Sequence, residues 1–377
     1  MAATAGHDQL MRDVAAQSLT LGGGVTIDDA IRQALPEGTR PVDAHSFGQS
    51  AWSSSAKINA VDRDGLPVAY FLKYVPGDLG RDQLRGEFMG MEALHRAAPG
   101  LVPKPIGWGK LNTVVPPSHF LLIEFREFIP NRLPDPVRLG ARVAAMHKSP
   151  AARSPTGMFG FPVQTFDGAR LQAVDWDPSW TSFFGKLLAK AYELDTETNG
   201  TWPELDAVYQ QVQAHVVPRL IGALESEGRK VEPVLVHGNM WDGNVGTEAS
   251  TGDPWIFDCA TYYGHNEMEL GIWRAERHQL KAKAYRREYL RNHEASEPED
   301  EWDDRNRLYS AKTNFMHSAC YAGSPARHLA YNDFGYLLNK YGAVGDVRQN
   351  FGAVGSEEPA APVGVWGPPH TTEAVEL

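Results

Sequence analysis

Leu235-Val-His-Gly-Asn-Met-Trp-Asp-Gly-Asn244 and, shortly after it, Trp255-Ile-Phe-Asp258 decide how this chain is read. Each begins as a short apolar run, at residues 234–236 and 255–257, that suits a buried strand. Each then breaks into side chains that carry oxygen: Asn239, Asp242 and Asn244 after the first run, Asp258 after the second. A polar loop joins them. Downstream, residues 267–292 read as a helix, with Asn266 and Glu269 spaced as a capping box at its start. Residues 303–320 and 328–341 read as closing helices. Upstream, residues 135–147, 176–194 and 205–224 have helical periodicity, and 131–134 reads as a connection.

Further upstream the pattern changes. Residues 119–125 form a short apolar run, 102–108 are extended, and 82–97 repeat Leu84, Phe88, Met91 and Leu94 near a helical period. Residues 56–61 and 68–75, split by the turn Asp62-Arg-Asp-Gly65, predict a β-hairpin. A Gly/Ser-rich stretch, 47–55, precedes it. Strands with one helix therefore come first, followed by a mostly helical region with a small β element. This is an α+β pattern in two subdomains. The expected divisions are a helical extension over 1–36, a β-rich N-lobe with a nucleotide-binding hairpin over 37–128, and a helical C-lobe over 129–345. A Gly-, Pro-, Ala- and Glu-rich tail, expected to be disordered, covers 346–377.

The chain's 377 residues suit two lobes around a cleft. A net charge of −11 argues against a nucleic-acid partner. No apolar run approaches bilayer length, and Asp8, Arg12 and Asp13 stand where a secretion signal needs apolar residues, so no membrane partner and a cytoplasmic location are expected. Two cysteines, Cys259 and Cys320, are too few for a disulfide scaffold. The 13 histidines contain no HExxH spacing. Nothing in the sequence sets an oligomeric state.

Phosphoryl transfer needs positioning and charge neutralisation more than covalent chemistry. Lys73, at the end of an otherwise apolar strand, is a candidate cation for nucleotide phosphates. The next predicted helix offers Glu87 to hold it, with Glu92 as the competing partner. The 47–55 stretch matches neither GxGxxG nor a Walker A loop.

Taken together, the two quoted segments resemble the HGDxWxxN…FD signature of the fructosamine/ketosamine kinases, relatives of the aminoglycoside and choline kinases. The resemblance extends to Phe159-Gly-Phe-Pro-Val163, Trp180-Thr-Ser-Phe-Phe184 and Tyr262-Tyr-Gly-His-Asn-Glu-Met-Glu-Leu-Gly271, and spans nearly all of 40–340. It implies a bilobal protein-kinase-like fold and an ATP- and Mg2+-dependent phosphotransferase acting on a ribulosamine or fructosamine. The acceptor would be free or linked to a protein lysine, which would make protein deglycation the role.

By motif position, Asn244 and Asp258 would hold magnesium. Lys73 would bind the α- and β-phosphates, steadied by Glu87. The backbone of Glu124-Phe125-Arg126-Glu-Phe128 would receive the adenine. Trp241, Tyr262, Tyr263 and His265 lie where the sugar-amine would approach. Arg274 and Arg277 read as a solvated helix face, and Cys259 as a small packed residue.

One position departs from the signature. Where the family has the aspartate that accepts the substrate hydroxyl's proton, this chain has Asn239. An amide is no base near neutral pH, though its oxygen still accepts a hydrogen bond. A slow kinase, a nucleotide-binding pseudokinase or scaffold, an enzyme disabled by mutation, and a small-molecule kinase of a specialised pathway all stand as readings. Asp242, three residues on, is a candidate substitute base.

Overall fold

The computed structural model describes residues 26–50, 53–114 and 116–342. The tail at 346–377 and most of the 1–36 extension fall outside these residues. The N-lobe is an antiparallel sheet of five strands: β1 (Arg40–Gln49), β2 (Ser54–Val61), β3 (Pro67–Pro76), β4 (Pro105–Lys110) and β5 (Ser118–Glu124), in the order β1-β2-β3-β5-β4. The expected β2–β3 hairpin forms. The stretch at 47–55, expected to be a loop before the first strand, instead holds the end of β1 and the start of β2, which pair from Arg40↔Val61 to Gln49↔Ser54. The polar residues of β1 hid it, because an exposed edge strand needs few apolar positions.

Side-chain alternation along the sheet places the cleft. Leu72 and Tyr74 of β3 and Phe120 and Leu122 of β5 point into a small core with Ile58 and Ile31. Ile31 lies on helix α1 (Asp29–Ala34), so this helix packs on the sheet and belongs to the lobe rather than to an extension. Asp28 caps it and also accepts the N–H groups of Asn112 and Thr113. On the other face, Val75, Leu121 and Ile123 join the large core of the C-lobe, along with Leu84, Met91 and Leu94 of helix α2 (Gly77–Ala97). Lys73 alternates with Leu72 and Tyr74, so it shares the α2 side of the sheet.

The C-lobe contains α3 (Pro136–Lys148), α4 (Trp180–Asn199), α5 (Pro203–Gln211), α6 (Lys283–Asn292), α7 (Trp302–Cys320) and α8 (Ala326–Tyr341). Local chemistry starts them where the sequence allows. Asp135 accepts the N–H of Arg138 and Pro136 opens α3. Glu225 collects the N–H groups of Trp180 and Thr181 at the start of α4. The expected helix over 205–224 divides: α5 widens into a π-helical stretch, Val212–Ile221, around Pro218, whose ring nitrogen has no hydrogen to donate.

The expected helix over 267–292 is also interrupted. Residues Asn266–Arg274 form 3-10 turns, and α6 begins only at Lys283. The capping box does not form. Asn266 donates to the Tyr289 hydroxyl, and the Glu269 carboxylate is drawn away to two backbone N–H groups at residues 237 and 238. A tertiary demand overrides the local cap.

Two short antiparallel pairs complete the lobe: the hairpin β9 (Val245–Thr247) with β10 (Pro254–Ile256), and, enclosing it in sequence, β8 (Val234–Val236) with β11 (Tyr262–Gly264). A smaller one, β6 (Phe166–Asp167) with β7 (Arg170–Leu171), lies beside the cleft.

Candidate active site

Lys73 projects from β3 between two carboxylates. Its Nζ donates to Glu87 Oε2 at 2.7 Å and to Asp258 Oδ1 in a still shorter contact. Glu87, not the exposed Glu92, is the partner, because one face of α2 lies over the sheet. Burial works against the ammonium, but Asp258 and Glu87 outweigh it and raise its pKa. Burial lifts the Glu87 carboxyl to about 7 against the pull of Lys73. For Asp258, Lys73 overcomes burial and keeps the pKa low. One cation thus sits between two acids, leaving negative charge at the cleft.

Close packing makes that meeting possible. A Cβ on Gly90 of α2 would lie 2.9 Å from Cys259 Sγ and 3.0 Å from Thr261 Cβ, so only glycine lets the segment after Asp258 come this near. Cys259 is buried, with its thiol pushed up to about 12 by burial, and it serves as packing. Asp258 itself adopts φ 59°, a left-handed conformation that aspartate tolerates better than most residues.

The loop after β8 is held by its own side chains. Buried His237 donates from Nε2 to the carbonyl of Phe257 at 2.9 Å, while its Nδ1 accepts the N–H of Asn239 at 3.3 Å. Burial pulls its pKa down despite Glu269, which favours the neutral ring this pairing requires. Glu269, 2% exposed, accepts the N–H groups of His237 and Gly238. Gly238 has φ 77°, and a Cβ there would meet the Ala260 carbonyl at 2.3 Å.

Asn244 Nδ2 donates to the carbonyls of Asn239 at 2.9 Å and Asp258 at 3.2 Å. Both amide hydrogens are then engaged, so its Oδ1 is left as an acceptor. An amide oxygen and a carboxylate suit magnesium, which takes hard oxygen ligands and keeps several from water and phosphate. No group of three or more His, Cys, Asp or Glu side chains able to hold a metal occurs among the described residues. An ion shared with a triphosphate needs no such cage. The Asn239 side chain makes no hydrogen bond among the described residues. Asp242 is not its substitute: it pairs with His278 at 3.1 Å and accepts the N–H of Gln279.

The segment joining the lobes is pinned. Arg126 bridges Glu124 at 2.6 Å and Glu248 at 3.1 Å and lies over the Trp255 ring. Its side chain is therefore structural. The N–H of Phe125 goes to Ala69, and the Glu127 carbonyl accepts from Ala249. Sequence reasoning missed the aromatics here. Phe47, 55% exposed, packs edge-on against Phe71 and Phe125, with ring centroids at 5.9 and 5.3 Å, and Phe128 stacks on Phe257 at 5.3 Å. Phe71, two residues before Lys73 on the same face, was the available signal.

Three expected substrate contacts are corrected. Tyr262, Tyr263 and His265 are 0%, 7% and 2% exposed. Tyr263 stacks on Trp176, and His265 is bonded to Tyr309 and Ser296. They belong to the core because β11 is buried between β8 and α4. Trp241 stays half-buried on the loop, tilted against His278. Arg277 is likewise not a solvated side chain: it donates to Asn314 Oδ1. Arg274 pairs with Asp303.

No helix among the described residues is long and apolar enough to cross a membrane. The fold is that of a fructosamine-3-kinase structure assigned in Thermobifida fusca, with a TM-score of 0.64 and 20% identity over 80% of this chain and 95% of that one. An aminoglycoside phosphotransferase solved with AMP-PNP and hygromycin B follows at a TM-score of 0.54 and 15% identity, over 80% of this chain and 94% of its own. In sequence, the chain is 35% identical to the chloroplastic protein-ribulosamine 3-kinase of Oryza sativa subsp. japonica over 65% of this chain and 67% of the relative. It is 34% identical to the ketosamine-3-kinase of Mus musculus over 32% of this chain and 37% of that one. The fructosamine kinase family model matches residues 46–331, which take in the sheet, the Lys73 pairing and both loops, and the chain belongs to that family.

Proposed function

We propose that this protein transfers the terminal phosphate of ATP to a hydroxyl of a ketosamine, a ribulosamine or fructosamine, at the cleft where Lys73, Asn244 and Asp258 meet. The observation that carries this reading is the Lys73 Nζ held at 2.7 Å from Glu87 and in contact with Asp258, with the Asn244 amide turned so that its oxygen is free. MgATP, when bound, supplies the phosphoryl group and the charge that draws on these residues. Lys73 neutralises phosphate charge, and Glu87 keeps it in place. Asn244 Oδ1 and the Asp258 carboxylate would hold the magnesium ion. Phe47 and Phe71, packed edge-on, offer apolar surface for the base beside the 124–128 backbone. The Asn239 amide oxygen accepts a hydrogen bond from the acceptor hydroxyl and aims it; as the new P–O bond forms and ADP leaves, the proton passes to a phosphoryl oxygen or to solvent water.

One observation favours a second reading, a nucleotide-binding protein without turnover. Asn239 has no carboxylate to take over its role, since Asp242 is engaged by His278. The test is to incubate the protein with MgATP and a ribulosamine and follow phosphate transfer for the native chain and for Asn239→Asp. Transfer by both identifies a slow kinase, and transfer by the variant alone a pseudokinase. No transfer by either, with nucleotide still bound, removes the ketosamine acceptor.

A further inference from the structure

A second buried lysine lies in the C-lobe. Lys312 of α7 is 2% exposed. Its Nζ donates to the neutral Gln172 Oε1 at 2.8 Å, while the nearest carboxylate oxygen, Asp167 Oδ2, is 3.6 Å away, beyond a good hydrogen bond. Arg277 shares this neighbourhood. Its guanidinium donates to Asn314 Oδ1 at 2.5 Å and more weakly to the Thr313 carbonyl, both neutral, and its buried Nε has no partner. Asp167 attracts both cations. The other nearby carboxylate, Asp242, is taken by His278. The buried Lys312 and the partly buried Arg277 therefore share one loosely placed anion. A desolvated charge is costly unless paired, which leaves this cluster one anion short.

The cluster is joined to the cleft. Gln172, which holds Lys312, also donates to the Ala260 carbonyl at 2.9 Å, and that carbonyl is the one packed against Gly238, next to Asn239. Asp167 lies on the β6–β7 hairpin. The hairpin is pinned to α2 through Gln83 and the Gly168 carbonyl at 3.0 Å, and to α7 through Arg170 and the Ala319 carbonyl at 3.0 Å. Asp258 repels the Asp167 carboxylate, whereas Lys312 and Arg277 attract it.

We propose that Lys312 and Arg277 bind a free carboxylate on the acceptor and that Asp167 binds its amine, so that the preferred acceptor is the ketosamine of a free amino acid. This rests on the ketosamine kinase reading above. In such a compound the amine lies between the reacting hydroxyl and the carboxylate, so one acceptor presents a cation for Asp167 and an anion for Lys312 and Arg277. A guanidinium offers paired donors that match a carboxylate.

The test measures binding by calorimetry to the full chain loaded with AMP-PNP, comparing the ketosamine of glycine with the ketosamine of glycinamide, which keeps the amine and lacks the carboxylate, at a pH where both amines are protonated. The acid should bind at least ~10-fold tighter, as expected for charge-assisted hydrogen bonds. Lys312→Met should bring the two within about twofold of each other without changing AMP-PNP affinity. Asp167→Asn should weaken acid and amide alike, and it serves as the second variant if Lys312→Met does not fold. Equal binding of acid and amide by the native chain overturns the subsite alone, and so does a Lys312→Met protein that keeps the preference. Binding of neither compound overturns the subsite together with the ketosamine reading.

Discussion

Lys73 and Lys312 are both buried lysines near carboxylates, and they are held differently. Lys73 touches two carboxylates within hydrogen-bond reach, and they raise its pKa above the usual value in spite of burial. Lys312 has an amide oxygen at 2.8 Å and a carboxylate at 3.6 Å, and burial lowers its pKa despite the pull of Asp167. The Lys73 cluster is thus a closed unit whose charges position one another. The Lys312 neighbourhood keeps charge incompletely matched. Under the proposed function, preorganised charge suits the part of phosphoryl transfer common to all acceptors, and unmatched charge suits selection among them.

The largest effect should come from the loop between these two regions. Asn239→Asp should raise phosphate transfer to a ribulosamine by ~10²–10⁴-fold, the range of a positioned general base. A flat response would mean that the Lys73 side is not the complete unit described. Next, Lys73→Ala leaves Glu87 and Asp258 without their shared cation. Transfer should fall by ~10²–10³-fold, the cost of removing one charge-stabilising donor, and nucleotide should bind more weakly. Unchanged nucleotide affinity, read by titration with AMP-PNP, would break the comparison.

Gly90→Val probes the packing that brings α2 to Asp258. With 2.9 Å of room before Cys259 Sγ, the added side chain should cost about 1–3 kcal/mol in stability, read as a lower midpoint in urea. It should also weaken AMP-PNP binding, because the backbone that carries Asp258 must shift. A normal affinity would show that the Lys73 unit does not depend on the interlobe fit.

The smallest effect is a control outside both lysine sites. Glu225 caps α4 through Trp180 and Thr181, and those bonds, with the Ser179 and Thr181 hydroxyls, hold its pKa below 4.5 against burial. A carboxylate lowered in the folded state stabilises above its unfolded pKa and loses that contribution as pH falls through its folded pKa. Glu225→Gln should therefore cost ~1 kcal/mol near neutral pH. The gap between variant and native chain should close in acid below 4.5, measured by urea unfolding across pH. A gap independent of pH would assign the loss to shape rather than charge.

The long periodic helices and the β2–β3 hairpin were legible because their signals are local: apolar spacing, a turn at 62–65, Asp135 before Pro136. Strand β1 was not, since an edge strand with polar residues has no apolar pattern to read. The helix expected over 267–292 failed for a related reason. Its Glu269 is spent on the N–H groups of the loop after β8, and no local pattern announces a partner 32 residues away.

The sequence by itself singled out Lys73 and Glu87, as a strand lysine followed by a helical glutamate, and, through the family resemblance, Asn244 and Asp258; the structure brings the four together. It also exposed the missing carboxylate at Asn239. Only the tertiary structure decided which aromatic residues sink into the core, as Tyr262, Tyr263 and His265 do, and which far-apart charges meet, as Asp167, Arg277 and Lys312 do. Burial and ion pairing depend on which surfaces face each other across the fold, and that is set by packing between distant segments rather than by neighbours along the chain.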